Sequence, residues 1–467
     1  MKTSIMNKQN EPKKMSLRFF QILKMLWNAK KLHSHEKWSR DKIKQHQEKE
    51  VQKLRDFAYA NSPFYKKFHQ GLENRPLHEL PVLTKQELMR SWDEIVTDRS
   101  LHLKDVEHFL NNVKGLEAYQ NKYFAFATGG TTGVKGITIY TKKEWLNIFS
   151  QSARLTKWTG IKFSLTKKLR MSTVQSKLPW HIAGAASFIT FPFSKSLPLD
   201  VTEPMDQQIN ELNGFQPDVF AGFAGNIHLL AQEQINGRLK ISPKTVLTTA
   251  ETLKKEGREA IEQAWKTKPF EAYGSTEIGE AAAECEQHKG LHIFEDVIIL
   301  EIVDNNNKPV QLGITGSKVL ATVLWNYTLP FIRYELSDHI KLSPEPCPCG
   351  RPFQLIEEIQ GREENVIYLP GRSGEKVRIE PEIFFDNMVL LPIGGWQVVQ
   401  EAEDAVTFLI LGPHQDFNEA EFLKRMEHEF VQRGAKVPAL KIEYIKELRH
   451  TKLGKTITIQ SFKKDKS

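Results

Sequence analysis

The stretch "PDVFAGFAGNIHLLAQEQINGRLKISPKTVLTTAETLKKEGREAIEQAWKTKPFEAYGSTEIG" (Pro217–Gly279) decides the fold class. "PDVFAGF", "KTVLTTAE" and "KPFEAYG" are short β-branched or aromatic runs. Between them, "GNIHLLAQEQING" and "TLKKEGREAIEQAW" have helical periodicity, the second with Leu253, Ala260, Ile261, Ala264 and Trp265 on one face. Alternation of this kind predicts parallel strands joined by crossover helices. Ligands of such sheets bind beyond the carboxyl ends of the strands. Glu251 and Glu277 stand at two such ends and are expected to point into one crevice.

Upstream, "YFAFATGGTTGVKGITIY" (Tyr123–Tyr140) predicts a strand, a glycine-rich loop and a second strand. The loop fails the G-x-x-x-x-G-K-[ST] pattern, because Val134 precedes Lys135, Gly136 follows it, and no helix comes next. Its chemistry still suits an anion. Gly129, Gly130 and Gly133 can expose backbone N–H groups as a nest, Thr128, Thr131 and Thr132 add hydroxyls, and Lys135 adds a charge. A triphosphate is the natural guest, and a ligand-free hairpin is the alternative.

Further on, "EAYGSTEIG" offers Tyr273 to stack on a base and Glu277 to hold Mg²⁺ on phosphates. "LPFIRYELSDHI" carries Arg333 and Asp338, the latter suited to accept from ribose hydroxyls. "RHTKLGKTITI" holds Lys455 after a glycine; an exposed hairpin lysine is the plainer reading. "VIILEIVDNNNKPV" and "SKVLATVL" predict antiparallel strands. Past "GREEN", a strand ("WQVVQEAEDAVTFLIL"), a helix ("NEAEFLKRMEHEFVQRG") and two short strands ("KIEYI", "KTITI") predict a separate small α+β domain. The expected fold is therefore α/β. A basic, amphipathic segment (1–35) precedes a large domain of mixed and parallel sheets covered by helices (36–361), and a small mobile α+β domain (362–467) follows.

Cys285, Cys347 and Cys349, with His288 or His292, form a second constellation in "CEQHKGLH" and "CPCG". Three thiolates and one imidazole make a closed tetrahedral Zn²⁺ site; reduced buried thiols are the alternative.

The chain has 467 residues, 40% hydrophobic and 26% charged, a globular composition with room for more than one domain. Three cysteines are no disulfide framework, and no signal peptide or membrane span is evident, so the expected compartment is the cytoplasm. Much of the net charge of +8 lies at the ends, in Lys2, Lys8, Lys13, Lys14, Lys463, Lys464 and Lys466. Solvated tails are the first reading, and no nucleic-acid partner is expected. "LRFFQILKMLWNAKKL" (Leu17–Leu32) is apolar and basic at helical spacing. It is expected to pack on its own domain, with peripheral contact to an anionic membrane as the lesser option.

In their order and spacing, "TGGTTGVKG", "YGSTEIGEAAAEC", "PFIRYELSD", "GREEN" and the final "GK" resemble the adenylate-forming superfamily of acyl-CoA synthetases and adenylation domains. Within it they are most similar to the phenylacetate–CoA ligase-like branch, which includes capsule-associated enzymes. The resemblance implies an enzyme that activates a carboxylic acid with ATP and Mg²⁺ as an acyl-adenylate, releases pyrophosphate, and passes the acyl group to coenzyme A. It implies that Thr128 to Lys135 wrap the phosphates. Thr249, Ala250, Glu251, Tyr273, Gly274 and Ser275 frame the adenine, Thr276 and Glu277 serve phosphates and Mg²⁺, and Asp338 holds the ribose. Arg362 touches the nucleotide, and Lys455 reaches the reacting carboxylate and α-phosphate. The hinge position falls on Glu364, followed by Asn365, where the family carries other residues. "GLH" favours His292 over His288 as the fourth, structural zinc ligand. An amine, hydroxyl or carrier-thiol acceptor, or AMP transfer to a cofactor, stays open, as do monomer and homodimer. A reading of another class is a non-catalytic ATP-binding protein docking on an anionic surface; Lys455 argues against it.

Overall fold

The computed structural model describes residues 15–16, 19–128, 136–162, 166–175, 182, 189–190, 194–201, 203–360, 366–379, 381–388, 391–413, 415–446 and 459–462. Among these, nine strands form the main sheet, in the order His339–Leu342, Leu355–Gln360, Leu291–Ile293, Gly279–Glu284, Phe270–Ser275, Thr245–Thr249, Val219–Phe223, Leu169–Gln175 and Ser194–Asp200. The last five are parallel and the first four run antiparallel to their neighbours. The expected crossover helices are Ala224–Ile235 and Lys255–Trp265. Leu253, Ile261 and Trp265 are buried against Ile227 and Leu230, with Ala260 and Ala264 packed at the margin. Apolar residues at helical spacing are what seat the helix on the sheet, and a leucine-to-alanine cut in such a core costs about 2–5 kcal/mol.

Tyr123–Thr128 and Gly136–Thr141 pair antiparallel, with Thr128 opposite Gly136, so they close the loop at its base. Thr141 then caps the helix Lys142–Trp158 in a reciprocal pair with Glu144. Trp92, Trp145 and Trp158 lie in the largest core cluster with both strands of this hairpin. The N-terminal helix Phe19–His35 packs along Lys142–Trp158. A separate three-stranded antiparallel sheet holds Ile298–Val303, Lys318–Val323 and Tyr334–Leu336.

Beyond residue 366 the core changes hands. A cluster drawn only from Ile367 to Ile459 surrounds a four-stranded sheet in the order Ala439–Ile445, Ala405–Pro413, Ile393–Ala402, Ile459–Gln460. Phe422, Met426 and Phe430, four residues apart, bury one face of the helix Glu419–Gln432 on it. Here one expectation needs correction. "WQVVQEAEDAVTFLIL" is not one strand but a hairpin, Ile393–Ala402 against Ala405–Pro413, turning at Glu403 and Asp404. The turn has no glycine, proline or asparagine to announce it, and only the charged pair Glu403–Asp404 leaves the sheet.

Candidate active site

The centre of the site is the turn Thr276–Glu277–Ile278 between the paired strands Phe270–Ser275 and Gly279–Glu284. Both glycines of "YGSTEIG" are required there. Gly279 has φ +69°, and a Cβ on Gly274 would lie 2.3 Å from the Gly279 carbonyl. The turn is fixed from outside by Tyr140, whose hydroxyl donates to the Thr276 carbonyl and lies 3.3 Å from that of Glu277.

So held, Glu277 is only 6% exposed. Its Oε1 lies 3.4 Å from Thr128 Oγ1, 3.5 Å from the Tyr334 hydroxyl and 3.6 Å from Lys85 Nζ. Lys85 also donates to Thr128 Oγ1 at 3.0 Å. Burial and the Glu277 charge push the Tyr140 and Tyr334 phenols well up, so both stay protonated donors. Thr128 is the last residue before the glycine-rich loop. The loop's base is thus joined directly to the strand-end carboxylate.

Lys85 is the residue that reading the sequence missed. It begins the short helix Lys85–Arg90, capped by Thr84, and is itself 8% exposed. Its place is set by pairing: Leu83 N–H donates to the Arg333 carbonyl at 3.1 Å, and Glu335 N–H to the Leu83 carbonyl at 3.0 Å. Gly136 makes room for its stem. A Cβ there would come 2.7 Å from Lys85 Cε and 2.9 Å from Nζ. A glycine facing a lysine more than 50 positions away leaves no periodic signal; only the tertiary pairing shows it.

On the other side of the turn, Tyr273 donates its hydroxyl to Asp338 Oδ2 at 2.9 Å. The two residues assigned to base and ribose are therefore adjacent. Arg333, from the same segment as Asp338, is turned elsewhere; it is buried in an ion pair with Glu301 at 3.1 Å. Glu251, just past the strand Thr245–Thr249, accepts from Gly225 N–H at 2.7 Å. Ala250 before it has φ +67°, an unfavourable conformation for a residue with a Cβ. A Cβ on Gly225 would sit 2.9 Å from Glu251 Oε2 and 2.7 Å from Arg378 Nη2, so the ends of both side chains reach over this glycine. Glu251 and Glu277 thus stand at the ends of successive strands of the sheet, each with its own partners.

Gly129, Gly130, Thr131, Thr132, Gly133, Lys135, Arg362, Glu364, Asn365 and Lys455 lie outside the described residues. So do Trp180, Phe188, Phe191, Lys177 and His181, residue types from "KLPWHIAGAASFITF" that suit the wall of an acid pocket. Phe220 and Phe223, aromatic residues of the same kind in "FAGFAGN", are buried members of the sheet core.

The cysteine constellation comes together at the far end of the same hairpin. One ligand atom each from Cys285, His292, Cys347 and Cys349 lies within 4.8 Å of all the others. Cys285 Sγ is 3.7 Å from Cys347 Sγ, and Cys349 Sγ is 3.3 Å from His292 Nε2. Metal–sulfur bonds of about 2.3 Å in a tetrahedron set S···S edges of roughly 3.8 Å and S···N edges of roughly 3.6 Å, so the four atoms fit a Zn²⁺. Backbone N–H groups of Gln287 and Arg351 face Cys285 Sγ and Cys349 Sγ at 3.5 Å each. Burial pushes the Cys285 and Cys347 thiols up and His292 down to about 4. A divalent cation among them would reverse the thiol preference, and the neutral imidazole is already the ligating form. His288 does not join: its Nδ1 faces Glu284 at 3.3 Å, and its ring rests on Phe270.

In sequence the chain is similar to phenylacetate–coenzyme A ligases and to Protein CapK, and in fold to a solved CoA ligase. No family model matches it. Among individual proteins, it is 25% identical to the phenylacetate–coenzyme A ligase of Thermus thermophilus over 356 residues, which span 73% of this chain and 75% of that protein. It is 22% identical to Protein CapK of Staphylococcus aureus over 432 residues, 88% and 87% of the two chains. A solved 2-hydroxyisobutyryl-CoA ligase, in complex with 2-HIB-AMP and CoA, shares the fold with a TM-score of 0.60 at 19% identity over 91% of both chains.

Proposed function

We propose that this protein is an AMP-forming acid–coenzyme A ligase. The observation that carries the reading is the buried corner of Glu277, Lys85 and Thr128 at the base of the glycine-rich loop, next to the Tyr273–Asp338 pair. One side suits phosphates, the other a nucleoside. A substrate carboxylate oxygen attacks the α-phosphorus of ATP, the bond to the bridging oxygen breaks, and pyrophosphate leaves. The coenzyme A thiol then loses its proton and attacks the acyl carbon, and AMP departs with the carboxylate oxygen.

Gly129 to Lys135 wrap the β- and γ-phosphates, and Lys135 steadies the departing pyrophosphate. Thr249 to Glu251 with Tyr273 to Ser275 frame the adenine, Asp338 takes the ribose hydroxyls, and Arg362 contacts the nucleotide. Thr276 and Glu277 would hold Mg²⁺, which supplies charge neutralisation at the phosphates. Lys85 holds Glu277 in position and adds an ammonium at that corner. Lys455, on a mobile small domain (362–467) hinged near Glu364, stabilises the charge that gathers as carboxylate and α-phosphate meet. Cys285, His292, Cys347 and Cys349 would hold a structural Zn²⁺ that ties the hairpin to the segment after Asp338. The cytoplasm, where ATP and coenzyme A are available, is the compartment that fits.

The test is thioester formation with coenzyme A across a panel of acids that begins with phenylacetate and short 2-hydroxy acids. The proposal predicts AMP and thioester in equal amounts with at least one acid. Adenylate without thioester would move the reading to an amine, hydroxyl or carrier-thiol acceptor.

A further inference from the structure

The N-terminal helix Phe19–His35 has a committed face and a bare one. On the inner side Ala29 and Leu32 are buried, and Asn28 bonds to Asn147 at 3.4 Å. Arg154 donates to the Leu32 carbonyl at 3.0 Å, and His35 pairs with Asp296 at 2.8 Å. These contacts fix which way the outer side looks. There Leu23, Leu26 and Trp27 are 46%, 55% and 65% exposed. At about 100° per residue the three span an arc of roughly 100°, with Lys30 within it and Lys24 and Lys31 along one flank. The helix has these three lysines and no Asp or Glu.

Asn28 meets Asn147 and Leu32 meets Arg154, so the two helices run in the same direction. The bare stripe therefore lies toward the end of Lys142–Trp158 that starts with the exposed Lys142 and Lys143. A stripe of two leucines and a tryptophan among lysines, on a helix with no acidic residue, matches the headgroup boundary of a bilayer, where indole is favoured and lysines meet anionic lipid. Among the described residues no helix is long and apolar enough to cross a membrane.

We propose that this face docks on the surface of an anionic lipid bilayer, with Leu23, Leu26 and Trp27 inserted at the headgroup level and Lys24, Lys30 and Lys31 on the lipid phosphates. The inference is independent of the reaction assigned above. It accounts for a basic amphipathic segment that acid activation does not use.

The full chain is sedimented with vesicles of phosphatidylcholine and phosphatidylglycerol (3:1) and with vesicles of phosphatidylcholine alone. Binding is expected to the anionic vesicles and to fall at least tenfold without the anionic lipid or in 0.5 M salt. Each lysine near such a surface contributes about fivefold, so Lys24→Glu, Lys30→Glu and Lys31→Glu together reduce binding by about a hundredfold or more. Leu23→Ser, Leu26→Ser and Trp27→Ser together abolish it. Both variants keep the wild-type melting temperature, since every altered side chain is exposed. Loss of a wild-type fluorescence blue shift in Trp27→Phe locates the inserted indole. Absent binding by the wild type, or equal binding by wild type and triple variants, overturns the proposal. So does a wild-type dimer that the serine variant dissolves without any lipid binding; the stripe would then be a contact between two copies.

Discussion

One hairpin, Phe270–Ser275 with Gly279–Glu284, carries two different kinds of site at its ends. At the turn, Glu277 is confined by Thr128, Tyr334 and Lys85, all at 3.4–3.6 Å from one oxygen. At the far end, Cys285 meets Cys347 at 3.7 Å, and Cys349 meets His292 at 3.3 Å. The first set is buried yet held at the long edge of hydrogen bonding, so it can exchange partners for a ligand. The second has the edges of a metal tetrahedron, with no position left for a substrate. On the proposed function one end reacts and the other staples, and the strands between join the two.

Glu277→Gln is the largest blow to the reactive end. It keeps the shape, removes the charge, and should lower ATP–pyrophosphate exchange by roughly a hundredfold or more with little change in melting temperature. At the stapled end the signs reverse. Cys347→Ser, or prolonged chelation, should lower the unfolding midpoint by about 5 °C while exchange per folded molecule stays near wild type. Metal analysis of wild type should give close to one zinc per chain; less than about a tenth of an equivalent contradicts the site. If instead chelation abolished exchange in folded protein, the division between the two ends would fail.

Lys85→Met sharpens the reactive end. We expect about a tenfold loss of exchange, chiefly through a higher KM for ATP, with partial rescue in Lys85→Arg. Gly136→Ala should show the same kinetic defect, because its Cβ would push the Lys85 stem aside. A smaller effect lies between the ends, at Glu271. Burial, and then the nearby Glu284 charge, push its carboxyl from 4.5 up to about 7, against hydrogen bonding from Leu253 and the charge of Arg258. A raised carboxyl contributes stability that is whole below about pH 4.5 and is lost as pH rises through about 7. Glu271→Gln should therefore match wild type at pH 4.5 and exceed it by about 1–2 kcal/mol at pH 8, read as denaturation midpoints.

The sheet was legible because the first two parallel strands of Pro217–Gly279 are short apolar runs, each followed by an amphipathic helix, two periods that are hard to confuse. The cysteine cluster was half legible. Spacing brought the thiols into view, and register decided between the histidines: His292 pairs with Leu355, a few residues beyond "CPCG", whereas His288 sits on a turn facing Glu284. Asp338 was singled out by sequence for the ribose, whereas the burial of Arg333, five residues before it, in an ion pair with Glu301 left no sequence signal. Lys85 was not legible at all. Its meaning comes from the pairing of Leu83 with Tyr334, some 250 residues on, and not from its neighbours. The hairpin at Glu403 was lost because Asp404 alone, without glycine, proline or asparagine, marks its turn.

Activation of a carboxylic acid with ATP by this chain is read out by ATP–pyrophosphate exchange over an acid panel with wild type and Lys455→Ala. Exchange should depend on one class of acid and fall at least a hundredfold in the variant. No exchange with any acid, or exchange indifferent to Lys455, would contradict it.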